Sequence, residues 1–331
     1  MILTSKFTIG RRRREWGLHS SRAVKKLLAQ APDILSDAIQ HTRLKFPTMG
    51  SHEMKHELRH TFGLDVPRSL ILAWFNEHEY DLLQERKFKR FRRKAYVAAG
   101  VNHIITVDQH EKWMKYGIFL HVGTEVFSGR ILWLKVWWTV KNPRLIVKYF
   151  LDACREIGGC PLITQSDPGS ENYGIANAQT TMRLIADSAL AGTSQHKFKH
   201  RTTNIPPEIQ WSLLRQIFTT GFENMLKYGV DRHWFNENDP IHVHSWIRIL
   251  IPWMQEECDS YRMRRNTSQR RRDTKKLLPT GIPDLIYHEP AKYGNAKDYK
   301  VIIPTAVIDE LEKELAPPDH LVFQLILQEY A

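Results

Sequence analysis

The sequence predicts an α/β core with a mixed β-sheet and flanking helices, preceded by an all-α region and followed by a helical part. Runs of β-branched and aromatic residues, each as long as a strand, begin near Asn102 and are separated by turn residues. After these runs, two segments with helical periodicity lie on either side of a further predicted strand. The predicted strands span residues 104–107, 117–122, 130–138 and 161–165, and the predicted helices span 142–157 and 173–190. Three adjacent strands, a helix, a strand and more helices is an order typical of an α/β domain.

The chain of 331 residues is long enough for two or three domains, and its 42% hydrophobic content predicts that most of it is folded. Its net charge of +12 indicates a polyanionic partner. Basic residues outnumber acidic ones two to one in residues 1–100, and a second basic cluster spans 261–276. Two separate basic blocks suit a long, phosphate-rich ligand such as double-stranded DNA, although two solvated charged faces give the same pattern.

The three cysteines have no CxxC spacing, so the sequence predicts neither a disulfide framework nor a cysteine-based zinc site, and a reducing compartment is favoured. No apolar run approaches the roughly 20 residues that span a bilayer, so we expect no membrane partner.

Residues 51–75 predict two helices around a glycine turn. Apolar residues recur every four positions from Ser51 to Phe62, and Gly63 then supplies a residue suited to a left-handed turn. Asp65 is a candidate cap for a second helix from about Val66 to Phe75. This is the plan of a helix-turn-helix, which would place Arg68 at the DNA. A plain helical hairpin is the alternative.

A basic run interleaved with aromatic residues follows, from Glu85 to Tyr96. It predicts phosphate contacts by Arg90, Arg92 and Arg93, with a solvated linker helix as the alternative. Its central part, residues 87–94, also fits a nuclear import signal, so we expect a nuclear location.

Two aspartates follow predicted strands of the core. Asp108 comes after the apolar run 104–107, and Asp167 comes after the strand 161–165 and before Pro168-Gly169. Each alone could be an ordinary turn residue. Together they form a constellation suited to two-metal phosphoryl transfer, which needs carboxylates that converge on hard divalent ions such as Mg²⁺.

Three segments carry a resemblance to a known family. Asp167-Pro-Gly-Ser-Glu-Asn172 resembles the D-x-G-x-E-N motif around the second aspartate of retroviral-type integrases and their transposon relatives. Val107-Asp-Gln-His110 resembles the first-aspartate segment. Asn204-Ile-Pro-Pro-Glu-Ile-Gln-Trp211 resembles the N-x-x-x-E-x-x-W pattern that opens the helix of the third acid.

This resemblance implies an RNase-H-like integrase core that catalyses 3′-end processing and strand transfer of DNA. Asp108, Asp167 and Glu208 would bind Mg²⁺ or Mn²⁺ and act as the catalytic acids. Double-stranded DNA, as element ends and as target, would be the partner of a homo-oligomer, and no small-molecule substrate is expected. Further DNA contacts are expected in two basic segments of the core. They comprise Lys197, Lys199, Arg201, Arg264, Arg265, Arg270, Arg271 and Arg272.

The chain departs from the family pattern at several positions. Ile105 replaces a Trp, Gln109 replaces the Gly after the first Asp, and Glu125 and Gly129 replace the Asp and Arg of a D-x-x-S-R segment. These changes leave open a catalytically dead or domesticated DNA-binding protein. An RNase-H-type nuclease is a weaker alternative. Glu171 is interpreted as structural.

The predicted organisation has four parts. Residues 1–46 form a helical segment, 47–99 the helix-turn-helix-like region with its basic linker, 100–283 the integrase core with a helical extension, and 284–331 a C-terminal tail. Arg11-Arg-Arg-Arg-Glu-Trp16 resembles the end of an earlier recognition helix, which favours a truncated N-terminus as a hypothesis.

Overall fold

The computed structural model describes residue 12 and residues 32–83, 97–199, 204–234, 236, 239–270 and 277–325. The chain forms two compact units. The helical unit comprises Met1–Arg92 with Leu213–Met225, and the sheet unit comprises Arg93–Ser212 with Leu226–Ala331. No helix within the described ranges is long and apolar enough to cross a membrane. Residues 13–31 of the predicted helical segment 1–46 and the basic run 85–96 lie outside the described residues.

Three helices begin the described part of the helical unit: α1 (Pro32–Lys45), α2 (Ser51–Phe62) and α3 (Arg68–His78). The prediction for α2 is confirmed at both ends, and Gly63 ends it with a left-handed φ of 67°. Helix α3 begins two residues later than predicted because Pro67, at φ −60° and ψ 135°, is its extended N-cap in place of Asp65. DNA binding by this pair stays a prediction.

Arg43 joins three segments of the helical unit. Its guanidinium forms two hydrogen bonds with Glu79, at 2.5 and 2.6 Å, and donates to the carbonyl oxygens of Phe46 and Met49 at 3.1 and 2.9 Å. It also lies 4.6 Å from the centroid of the Phe75 ring. One side chain therefore fixes the end of α1, the turn after it and the end of α3.

Replacing Arg43 by Met should destabilise the helical unit by about 3–5 kcal/mol, because Glu79 would keep its charge in a mostly buried position without its partner. Amide hydrogen exchange of α1–α3 in the full-length chain measures this. The exposed Arg59→Met on α2 is the matched control, and the double variant Arg43→Met/Glu79→Leu should recover part of the loss. Equal amide exchange in Arg43→Met and Arg59→Met would contradict the role of Arg43 in joining these three segments.

The sheet unit is built on five strands: β1 (Ile104–His110), β2 (Phe119–Glu125), β3 (Ile131–Trp137), β5 (Ile163–Ser166) and β6 (His196–Phe198). A separate short pair consists of β4 (Gly159–Cys160) and β7 (Val301–Ile302). The five strands have the spatial order β3-β2-β1-β5-β6; β1, β2 and β3 are antiparallel neighbours, whereas β5 and β6 run parallel to β1. This mixed order is that of the RNase H fold, so the predicted fold class is confirmed.

Strands β1 and β6 are among the places where the structure differs from the sequence prediction. Strand β1 was expected to end at Val107, but Asp108, Gln109 and His110 continue its antiparallel pairing with β2. Polar side chains do not end a strand whose main chain still finds partners. Strand β6 was not predicted, since three residues are too few for a visible alternation.

Further helices follow β3 along the chain. They are α4 (Pro143–Ile157), α5 (Tyr173–Ala186), α6 (Ile205–Leu214), α7 (Thr220–Asp231), α8 (Pro240–Thr267), α9 (Pro283–His288) and α10 (Thr305–Leu315). A π-helical segment, Arg215–Thr219, joins α6 to α7. Single 3₁₀ turns lie at Met114–Tyr116, Ser170–Asn172, Ser188–Leu190, Pro290–Lys292 and Leu321–Phe323.

Helix α4 is the best predicted of these helices. Asn142 caps its start by accepting from the Arg144 N–H at 3.0 Å, and Gly158 ends it with a left-handed φ of 73°. Its apolar face, including Phe150 and Cys154, is buried against the sheet. Ile308 and Leu311 of α10 belong to the same buried cluster, so residues from the region 284–325 contribute to the core.

Side chains of α8 cover the open edge of β3. Gln255 donates to the Leu134 carbonyl at 3.0 Å and accepts from the Val136 N–H at 2.9 Å. Asn266 likewise bonds both the N–H and the C=O of Ile131, at 2.9 and 2.8 Å. These two amides replace the main chain of a sixth strand and protect the edge from further pairing.

His121 is a fully buried polar side chain in the sheet. Its Nδ1 accepts a hydrogen bond of 2.9 Å from the Trp133 indole, and the two rings are stacked with centroids 6.0 Å apart. Burial lowers the pKa of His121 to about 3. The imidazole is therefore neutral in the folded protein at any pH at which the protein is handled.

The folded-state pKa of His121 lies below the usual unfolded value of about 6.5, so its contribution to stability is complete above pH 6.5 and is lost as pH falls. We expect the free energy of unfolding to fall towards pH 4, with a His121 share of at most about 1.4 kcal/mol per pH unit. His121→Phe should reduce this slope whatever its absolute stability, and the exposed His288→Phe should not. Urea unfolding at pH 4–7 measures the slopes, and equal slopes in all three proteins would contradict this role.

Candidate active site

Asp108 lies on β1 opposite Val122 of β2 and is half-buried. Its Oδ2 accepts a hydrogen bond of 2.8 Å from the indole Nε1 of Trp211, one helical turn beyond Glu208 on α6. Burial raises the pKa of Asp108 to about 7, the Trp211 hydrogen bond opposes this rise, and the charges of Asp167 and Glu208 add to it. The charged form of this carboxyl group is therefore disfavoured by burial and by the neighbouring acids, and a nearby cation would favour it.

Asp167 directly follows β5, as predicted. Strands β1 and β5 are parallel neighbours, with Ile104 opposite Ile163 and Thr106 opposite Gln165. This pairing ends at Thr106 and Gln165, each two residues before an aspartate, and adjacent strands are about 4.8 Å apart. Both aspartates therefore follow the paired segment at the same end of the sheet, and the charge of Asp167 raises the pKa of Asp108.

Burial raises the pKa of Asp167, a hydrogen bond from the Asn204 side chain opposes the rise, and Glu171 adds to it. Asn172, fully buried, donates from Nδ2 to the Asp167 carbonyl at 3.1 Å and fixes the loop after the strand. Oδ1 of Asp167 is buried and accepts no hydrogen bond from any described residue. Within the described part of the chain, this oxygen is therefore an acceptor that has no donor.

Glu208 lies in the first turn of α6, as predicted, after two buried prolines at positions 206 and 207. Its side chain is exposed, yet its charge contributes to the pKa of Asp108. The helix therefore brings the third acid within electrostatic range of the first. The three acids come from β1, the end of β5 and α6.

The donor set suits a hard divalent ion, because all three side chains offer carboxylate oxygens. Three oxygens around the two aspartates are buried without a donor among the described residues: Asp167 Oδ1, Gln109 Oε1 and Asn172 Oδ1. A cation would satisfy such acceptors, so the residues fit Mg²⁺ or Mn²⁺. Over the described ranges, however, no three His, Cys, Asp or Glu side chains are close enough to form a ready metal-binding group.

Two further acids have structural partners. Glu171, buried and four residues after Asp167, accepts a hydrogen bond from Gln109 Nε2 and so ties the loop after β5 to β1. Glu125, also buried, accepts from the main-chain N–H groups of Phe127 and Ser128 at 2.9 and 2.8 Å and from the Ser128 hydroxyl at 2.5 Å. It closes the turn between β2 and β3.

The predicted DNA-contact residues of the core have different environments. Lys197 is exposed on β6 and Lys199 half-buried directly after it, close to Asp167 in the sheet. Arg264 and Arg265 are only 6% and 7% exposed, so this structure does not present them to a phosphate backbone. Arg270 donates to the Gly129 carbonyl at 2.5 Å.

In the helical unit, Arg68 is exposed and donates from Nε to Ser51 Oγ at 3.0 Å. The remaining predicted contacts lie outside the described residues. They are Arg90, Arg92, Arg93, Arg201, Arg271 and Arg272.

A family model described as "Integrase core domain" matches residues 95–284, which is more than half of the chain. The chain belongs to the integrase core domain family. The resemblance drawn from the three acid motifs is thereby confirmed. No curated protein matches the chain.

Two solved structures are similar to the chain at low identity. One is the intasome of simian T-cell lymphotropic virus in complex with the PP2A regulatory subunit B56 gamma, with 15% identity and a TM-score of 0.38, covering 69% of this chain and 74% of that one. The other is the HTLV-2 integrase catalytic core domain in complex with magnesium (trimeric form), with 18% identity and a TM-score of 0.30, covering 54% of this chain and 93% of that one. The fold assignment rests on this chain's own sheet order.

Sequence reasoning missed two contacts of this integrase core. Trp211 entered the prediction only through its motif, but its indole donates to Asp108. Asn204 was noted only as part of the N-x-x-x-E-x-x-W pattern, whereas its amide reaches Val107, Gln165 and Asp167. The motif marked both residues, but their partners are set by the tertiary fold.

Glu125→Ala should destabilise the sheet unit by about 2–4 kcal/mol, because three donors of the turn would lose their acceptor. The variant should leave divalent-cation affinity unchanged, since Glu125 bonds the turn and not the acids. Glu314→Ala, on the exposed face of α10, is the matched control for removal of a carboxylate. Urea unfolding and calorimetry test the two halves of this expectation, and weaker cation binding in a folded Glu125→Ala protein would contradict it.

Proposed function

We propose that this integrase-core chain is a DNA integrase or transposase that catalyses Mg²⁺-dependent 3′-end processing and strand transfer on double-stranded DNA. Asp108, Asp167 and Glu208 would be the catalytic and metal-binding acids. Family membership supports the integrase-type function. The assignment of these residues and of the metal is our inference from the site.

One observation carries the proposal: three acids come from three separate elements, and the charges of Asp167 and Glu208 both raise the pKa of Asp108. The parallel pairing of β1 and β5 ends two residues before each aspartate, and Glu208 adds its charge from α6. Placing like charges together costs free energy, which a bound cation would offset. Carboxyl groups whose pKa is raised by burial and by neighbouring acids are typical of sites that bind cations or transfer protons.

The chain's own residues would orient the reactants. Trp211 holds one oxygen of Asp108 and so fixes the direction of the other, while Asn172 fixes the loop that carries Asp167. Bound divalent ions would supply activation of the attacking hydroxyl and stabilisation of the leaving oxygen. The protein's main contribution would then be positioning and charge neutralisation, as in phosphoryl transfer generally.

The DNA would approach along basic residues close to the acids. Lys197 is exposed on β6, the strand next to β5, which Asp167 directly follows, and Lys199 comes after β6. Joining two DNA ends to a target suits a homo-oligomer with a nuclear location, and both are parts of this proposal. The net charge of +12 supports the polyanionic partner.

A DNA-binding protein without catalytic activity is the second candidate. It is favoured by the exposed position of Glu208 and by the lack, over the described ranges, of a ready three-residue metal group. On this reading the fold and basic residues would be kept and the chemistry lost.

Calorimetric titration with Mg²⁺ and Mn²⁺ separates the two candidates. The full-length chain should bind the ions, and the Asp108→Asn/Asp167→Asn variant should lose this binding, because two of three ligands become neutral amides. The exposed Asp319→Asn is the matched control and should bind as the wild type does. Nicking of a supercoiled plasmid with Mn²⁺ should fall to background in the double variant alone. Equal cation binding by all three proteins would refute the metal site, and equal nicking would refute catalysis by these acids.

A further inference from the structure

Asn204 is a buried amide at the start of the helix that carries the third acid. It directly precedes α6 and is only 1% exposed. Its Nδ2 donates to the Val107 carbonyl at 3.0 Å, and its Oδ1 accepts from Gln165 Nε2 at 3.1 Å. The side chain therefore uses both halves of its amide in the interior of the sheet unit.

The partners of Asn204 are neighbours of the first two acids. Val107 is next to Asp108 on β1, and Gln165 lies two residues before Asp167 on β5. The Asn204 side chain also lies close enough to the Asp167 carboxyl group to oppose the rise of its pKa on burial. One residue thus touches both strands that bring the aspartates together and begins the helix of Glu208 and Trp211.

We propose that Asn204 is a positioning residue that sets α6, and with it Glu208 and Trp211, at a fixed place relative to Asp108 and Asp167. The proposal rests on the function proposed above, because it assigns Asn204 to the geometry of the same three acids. Successive acids along the chain are 59 and 41 positions apart in sequence. A single buried amide that bonds all of these elements defines their separation without a contact to the reacting DNA.

The chemistry of the position requires both a donor and an acceptor. Leucine has nearly the same shape as asparagine but supplies neither, so the carbonyl of Val107 and the amide of Gln165 would both lose a partner. Aspartate keeps the acceptor for Gln165 but has no N–H for Val107 or Asp167. The two variants therefore remove the whole contact and its donor half, respectively.

Gln179 offers a matched control in the same unit. It is fully buried on α5 and donates from Nε2 to the carbonyls of Pro161 and Leu162, at 2.7 and 3.3 Å, ahead of β5 and away from its Asp167 end. Gln179→Met is a loss of a buried amide comparable to Asn204→Leu. The two variants should lose similar stability in urea, so differences between them report on the acids and not on folding.

The first measurement needs no metal. Trp211 donates its indole N–H to Asp108, and this N–H is observable in the ¹⁵N-indole spectrum of the full chain, where Trp211→Phe identifies it. If Asn204 sets α6 against β1, indole hydrogen exchange of Trp211 should be at least tenfold faster in Asn204→Leu than in Gln179→Met. Asn204→Asp should show the same direction, which keeps the test decisive if the leucine variant does not fold.

The second measurement is Mn²⁺ affinity by calorimetry. Removal of residues that orient metal ligands typically weakens binding about 10–100-fold, so Asn204→Leu should weaken it at least tenfold and Gln179→Met less than twofold. Trp211 exchange and Mn²⁺ affinity that are equal in the two variants would overturn the positioning role and leave Asn204 a structural amide. A wild type that binds no Mn²⁺ would refute the proposed function, whereas the Trp211 exchange would still decide the role of Asn204.

Discussion

The parallel pairing of β1 with β5 is the constraint on which the rest of the site depends. It brings Asp108 and Asp167 to the same end of two adjacent strands, which no local sequence preference could do. The pairing is possible only because α4 crosses over between β3 and β5, since parallel strands need a long connection. Helix α4, whose apolar face belongs to a buried cluster of the sheet unit, is therefore also needed to bring the two aspartates to the same end of the sheet.

Bringing these carboxylates together creates a cost that the surrounding residues only partly offset. The Trp211 indole opposes the rise in the pKa of Asp108, and the Asn204 amide opposes the rise in the pKa of Asp167. The pKa of each aspartate is nevertheless raised, because the effect of burial on the charged form is larger than the opposing effect of these donors. Buried oxygens around the two aspartates still lack a donor among the described residues, and the divalent cation of the proposed site would satisfy them.

Local chemistry decided which parts of this arrangement could be predicted from sequence. Asp167 after a strand and Glu208 after two prolines are local signals, and the structure has both where they were expected. The missed features join distant residues. Gln255 and Asn266 complete the edge of β3 across more than a hundred positions, and periodicity cannot show such pairs. The three-residue β6 was missed for the opposite reason, since it exists only through its pairing with β5.

The departures from the family pattern bear on whether the chain has decayed. Gln109, where relatives have Gly, bonds the buried Glu171, and Glu125, where they have Asp, still accepts three hydrogen bonds from its turn. Gly129, where they have Arg, has a left-handed φ of 70° and accepts from Arg270. Each of these three positions therefore has a hydrogen-bonded neighbour in this fold, and an unpaired buried polar group would cost about 1–3 kcal/mol. The metal site proposed above requires a fixed hydrogen-bonded environment, so these departures are compatible with it.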